Sequence, residues 1–250
     1  MKTKILYFLA LALIFVSFSD AATYSVDPEY RPNSEYSNNS YIEMKMDGSK
    51  MGLEEDVVIV AGANTVMKTG KLQQGDKMPL EMSSKQDTLF TNSPLFSQML
   101  EQYKTGGSTT KGTISKKGDI STDVKIMGNL VGTSSNSFAE SFRGKKFEIG
   151  KIEKVNYGFE MPSSKQSIII DLDTKLDKVS NDIAFFSFSG KMKESSPGSE
   201  MFNLSLKGSL KYDMKNKLYS YINTDAKSIA KNEAMSDMNI IFTFNQKKTK

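Results

Sequence analysis

Residues 202–214 read FNLSLKGSLKYDM, and their alternation decides the fold. Phe202, Leu204, Leu206, Gly208, Leu210, Tyr212 and Met214 share one face, while Asn203, Ser205, Lys207, Ser209, Lys211 and Asp213 share the other. Period two over this length marks a strand with one buried and one wet face. Wet faces go with antiparallel sheets, because parallel sheets are covered on both sides.

The same period recurs on either side of this stretch. Ile42, Met44 and Met46 alternate with polar residues, as do Val155, Tyr157, Phe159 and Met161. Ile168, Ile170, Leu172 and Leu176 lie opposite Asp171, Asp173, Lys175 and Asp177, and Ile240, Phe242 and Phe244 close the chain's last run. Strands are expected near 41–47, 57–67, 110–128, 147–161, 166–176, 183–193, 202–214, 218–225 and 238–245. Turn chemistry at Lys117-Gly118-Asp119 and at Met214-Lys215-Asn216-Lys217 reads as hairpins.

One segment has helical spacing: Leu95, Phe96, Met99, Leu100 and Tyr103 form a stripe, with Ser93 as N-cap and Pro94 at the first helical position. Gly106-Gly107 ends it, which predicts a helix over 94–104; a weaker helix is expected over Ser228–Met235. The expected fold class is therefore mainly β: antiparallel curved sheets or a half-barrel, with one short covering helix.

A faint repeat suggests two similar lobes. Lys111-Gly112-Thr113-Ile114 and Lys207-Gly208-Ser209-Leu210 each open an alternating strand, a turn and a returning strand. The domain reading is a signal peptide over 1–21, a leader over 22–40, a first β-rich lobe over 41–134 and a second over 138–250.

Lys2 and Lys4 precede an apolar run from Ile5 to Phe18, and Ser19-Asp20-Ala21 places small residues at −3 and −1 of a cleavage point after Ala21. That run is shorter than the roughly 20 residues of a membrane span. The chain is expected to be exported, periplasmic or extracellular, with no membrane span. It has no cysteine, so its core alone must hold it in an oxidising compartment. Asn38-Asn39-Ser40 and Asn203-Leu204-Ser205 fit the N-glycosylation acceptor pattern.

The formal charge of +4 is mild, falling to +3 once Lys2, Lys4 and Asp20 are removed, and Arg31 and Arg143 are the chain's only arginines. Phosphate and base-edge recognition leans on arginine, so no nucleic-acid partner is expected. With neither His nor Cys, no imidazole- or thiol-based triad and no His/Cys zinc site can form. Ser228-Ile229-Ala230-Lys231 matches S-x-x-K, but Lys-Thr-Gly occurs at 68–70 and 104–106, ahead of it rather than after, and no Ser-Asp-Asn accompanies it. Asp171, Asp173 and Asp177 form one exposed row, not two carboxyls facing across a cleft. Lys175 also interrupts the ligand spacing that a calcium loop requires. No glycine-rich nucleotide motif is present. The expectation is a protein that is not an enzyme and carries no cofactor or metal.

Thr113-Ile114-Ser115-Lys116-Lys117-Gly118-Asp119-Ile120 after a helical stretch, and the late Gly208-Ser209-Leu210-Lys211-Tyr212-Asp213 hairpin strand, give the chain a resemblance. It is similar over about 41–245 to uncharacterised exported two-lobed β proteins, and more loosely to periplasmic lipoprotein-carrier-like half-barrels. The second resemblance implies an open curved sheet with helices in its concavity. The first has no assigned activity and implies an architecture only.

Strands with one apolar face must bury it against a sheet, a helix or a ligand. Fourteen methionines besides Met1 suit an adaptable apolar surface. The expected function is non-catalytic binding of an apolar or amphipathic small molecule or lipid in a β concavity. Phe96, Met99, Leu100 and Tyr103 of the helix would line it beside Phe202, Leu204, Leu206 and Leu210. The alternative is a structural or surface protein–protein interaction module without a cavity.

Overall fold

A computed structural model describes residues 22–101, 107–122, 141–160, 167–194, 203–228 and 237–250. Their strands are β1 (Thr23–Ser25), β2 (Glu35–Met46), β3 (Val57–Thr69), β4 (Lys77–Thr91), β5 (Ser108–Ser115), β6 (Ile120–Thr122) and β7 (Lys146–Glu148). They continue with β8 (Ile152–Glu160), β9 (Ser167–Ser180), β10 (Ile183–Glu194), β11 (Asn203–Asp213), β12 (Leu218–Ser228) and β13 (Met238–Lys248). An α-helix, α1, spans Pro94–Glu101.

Eleven strands form one open antiparallel sheet in the order β6-β5-β4-β3-β2-β13-β12-β11-β10-β9-β8, and β1 pairs with β7 as a separate ribbon. Two meanders, β2 to β6 and β8 to β13, run outward from a central seam where the last strand pairs with β2, from Met238↔Met46 to Lys248↔Tyr36. The hairpins are where turn chemistry put them. Gly118 takes φ 98° between β5 and β6, and Lys217 takes φ 55° between β11 and β12.

Several boundaries differ from the alternation. β2 begins at Glu35, ahead of the expected 41, because its Asn- and Ser-rich start has ladder partners on both sides: Tyr36 pairs with Met67 on β3 and with Lys248 on β13. Central pairing overrides weak strand propensity. β4 was not expected at all, since Pro79 and the polar run SSKQD spoil its pattern. Pro79 C=O accepts from Gly70 N–H at 2.8 Å, and the Gly70 carbonyl that Pro79 cannot reach accepts instead from Asn33 N–H at 3.0 Å. The run expected over 147–161 is broken into β7 and β8 by Gly150 at φ 84°. The helix ends at Glu101; the rest of the expected 94–104 span, and the weaker helix beyond Ser228, lie outside the described residues, as does the expected signal peptide. At the helix start the Ser93 carbonyl accepts from Ser97 N–H at 3.0 Å, while its buried hydroxyl has no partner among the described residues.

The inner face holds two packed clusters. The larger lies over β8–β12, where Phe142 and Phe147 of the β1–β7 ribbon region pack on Phe186 in one cluster with Leu172, Leu204 and Leu210. Phe142 and Phe147 stack with centroids 5.9 Å apart, and Phe142 meets Tyr219 edge-on at 6.2 Å. The smaller gathers Tyr36, Met67, Met78, Leu80, Ile114 and Leu218. Between β1 and β2 the chain crosses the turn end of the sheet: Glu29 N–H donates to the Lys217 carbonyl at 2.8 Å, Tyr30 N–H to Lys116 at 2.8 Å and Asn33 N–H to Gly70 at 3.0 Å. Both arginines secure it. Arg31 Nη2 donates to the Lys215 carbonyl at 2.7 Å, and Arg143 Nη1 pairs with Asp27 at 2.9 Å.

Candidate functional site

The expected ligand-binding residues separate into two groups. Phe96 and Leu100 are half-buried on α1, which packs along β4. Leu204, Leu206 and Leu210 are buried on β11 in the larger cluster. β11 stands five strands from β4 in the sheet, about 24 Å measured along it. Met99 belongs to α1, though its side chain lies outside what is described, and Tyr103 and Phe202 lie outside the described residues. Among the described residues, the helix residues and the β11 leucines share no packed cluster.

A different apolar surface occupies the seam. Three rungs cross β3, β2 and β13 on the inner face: Val57–Met46–Met238, Ile59–Met44–Ile240 and Ala61–Ile42–Phe242. All nine side chains are apolar. Val57 is buried, Ile42 is 36% exposed and the other seven are half-buried. Met238, Ile240 and Phe242 border the larger cluster without being enclosed by it. Farther along the same strands the face turns polar at the rung Thr65–Asn38–Gln246. Asn38 Oδ1 is buried there with no hydrogen-bond partner among the described residues, and Gln246 Nε2 donates to Tyr30 Oη at 3.3 Å. Ile42, Met44 and Met46, and Ile240 and Phe242, were visible as alternating strands. Their union was not, because it depends on a pairing some 200 residues apart in sequence, Met44↔Ile240.

The outer face of the second meander carries a polar trough of about 740 Å³. One cross-strand row runs Asn156–Asp171–Lys191–Ser205–Lys227 from β8 to β12. The adjacent row runs Lys154–Asp173–Ser189–Lys207–Asp225. Asp173 pairs with Lys154 at 2.8 Å, Asp171 with Lys193 at 3.5 Å and Asp225 with Lys227 at 3.5 Å. The hydrogen bond from Lys154 to Asp173 raises the pKa of that ammonium group. Asp171 and Asp173 of the β9 row are thus paired by lysines of neighbouring strands, and Asp177 by Lys175 of its own strand at 2.9 Å. Ser228, first residue of the S-x-x-K match, accepts a hydrogen bond on Oγ from Met238 N–H at 2.8 Å, and Lys231 lies outside the described residues.

No helix among the described residues is long and apolar enough to cross a membrane. No family model and no curated protein matches the chain. Among solved structures it is similar to a protein described as exported, with a YmcC-like fold, from Bacteroides fragilis NCTC 9343; the identity is 8%, the TM-score 0.30, and the match covers 88% of this chain and 98% of that one.

Proposed function

We propose that this is an exported, non-catalytic binding protein for an amphipathic ligand such as a lipid. Its apolar part would lie on the three rungs of the β3–β2–β13 seam, with its polar end toward Asn38 and Gln246. The observation that carries the reading is the seam itself: nine apolar side chains in register, of which only Val57 is fully buried. Burying such surface is worth roughly 25 cal/mol per Å², and ligand sites combine apolar area with a few placed polar groups. The orphaned Asn38 Oδ1 supplies one such group, an acceptor for a ligand hydroxyl or amide.

The test is uptake of a fluorescent fatty acid by the purified mature protein, alongside native mass spectrometry for copurifying lipid. Met44→Gln combined with Ile240→Gln should lower probe affinity about tenfold or more while leaving the unfolding midpoint within a few degrees. If the unaltered protein neither copurifies lipid nor takes up the probe, the alternative stands: a protein–protein interaction module that uses the same seam.

A further inference from the structure

On the opposite face, the geometry points to a second site, for a hydrophilic phosphorylated molecule of the sugar-phosphate class. In the middle of the trough Lys191 stands across from Ser205, and Ser189 across from Lys207. Directly opposed residues on paired antiparallel strands lie about 5 Å apart at Cβ, and the next pair on the same face about 7 Å along. Two lysines thus occupy one diagonal of a rectangle about 5 by 7 Å and two serines the other. Long lysine stems let both charges converge on one point above its centre.

The ion pairing leaves these two lysines over. The trough is lined by five lysines and three aspartates; each aspartate is paired with Lys154, Lys193 or Lys227. Lys191 and Lys207 stand across from Asp171 and Asp225 but make no ion pair among the described residues, so the trough holds two lysines in excess of its three aspartates. A dianionic tetrahedral oxyanion accepts from two ammoniums and the Ser189 hydroxyl at once, and charge-assisted bonds of that type are the strong ones. Ser205 Oγ, which donates to the Lys227 carbonyl at 3.3 Å, joins them by turning its proton to the ligand.

Two further observations extend the ligand beyond a bare anion. A volume of about 740 Å³ falls within the usual range for small-molecule pockets of roughly 300–1,000 Å³, and it is much larger than one phosphate needs. Next to Lys207 in its row, Asp225 Oδ1 is buried without a hydrogen-bond partner among the described residues, an acceptor suited to a ligand hydroxyl. Charged and hydroxyl-bearing residues supply most of the lining, and the lysine stems give the wall an apolar share, so a polyol phosphate can set its hydroxyls against the charged ends and its ring against the stems.

Calorimetric titration of the mature protein at low ionic strength tests the assignment with glucose 6-phosphate, inorganic phosphate and glucose. Glucose 6-phosphate should bind more tightly than phosphate, and glucose should not bind. Lys191→Ser with Lys207→Ser should weaken glucose 6-phosphate about tenfold or more. Lys85→Ser with Lys111→Ser, which removes the same charge from exposed positions in the other meander, should leave binding unchanged. Absence of glucose 6-phosphate binding, equal affinity for phosphate alone, or equal losses in both double variants would each overturn it. The fatty-acid assay on the seam is independent of all three outcomes.

Discussion

Phe147, on the ribbon strand β7, meets Phe186, on β10, the third strand from the β8 edge, edge to face: the ring centroids are 5.0 Å apart and the planes cross at 76°. Both rings are buried. This contact joins a three-residue strand to an eleven-stranded sheet. It also explains how a chain without disulfides closes the inner face over β9–β12.

Truncating that ring should therefore cost more than its short strand suggests. Phe147→Ala removes a buried aromatic and leaves a cavity against Phe142 and Phe186, for an expected loss of about 3–5 kcal/mol. Phe147→Leu should cost less than half of that. Urea unfolding followed by circular dichroism checks both, and near-equal midpoints for Phe147→Ala and the parent would contradict the packing.

Thr69 ties the crossing segment to β3. Its Oγ1 donates to the Arg31 carbonyl at 2.6 Å and accepts from Ser34 N–H at 3.0 Å, inside a buried pocket. Thr69→Val keeps the shape and orphans both backbone groups, which should cost about 1–3 kcal/mol. Amide exchange at Ser34 should accelerate in the variant, whereas exchange at Leu172 should change only as far as global stability does.

Gly208 lies under the Phe188 ring. A Cβ on it would overlap that ring's Cζ and the Asn223 carbonyl oxygen, since neighbouring strands approach closely there. Gly208→Ala should destabilise by about 1–3 kcal/mol through overpacking. Adding Phe188→Leu should recover part of the loss, and a double-variant cycle with no coupling would refute the contact.

Burial pushes the Tyr212 hydroxyl up to about 12, against a smaller opposing effect of the hydrogen bond it accepts from Asp27 N–H; Tyr30 and Tyr36 are also raised by burial. The unfolded chain releases its phenolic protons near pH 10 while the folded chain keeps these, so stability present below that pH is lost as pH rises toward 12. Tyr212 alone should contribute about 2 kcal/mol of that loss. Phenolate absorbance should show a late-ionising step that shrinks in Tyr212→Phe, and the same substitution should flatten the decline in stability. A decline that begins below pH 9 would be inconsistent with it.

Local pattern alone settles the strands whose faces differ. From Phe202 to Met214 every second residue is apolar or glycine, and an antiparallel ladder is the structure that puts those on one side. The Gly118 and Lys217 turns were equally local, because backbone angles depend on neighbours in the chain. β4 escaped notice because Lys77–Thr91 owes its extended form to partners on β3 and β5 rather than to its own residues. The candidate sites needed still more of the tertiary structure. Met44 and Ile240 become one surface only when the last strand closes on β2, and Lys191 and Lys207 become a diagonal only in the β10–β11 register. Alternation states which side of a strand a residue takes. Which strand lies beside it is decided by long-range burial and hydrogen bonding, which no local pattern records.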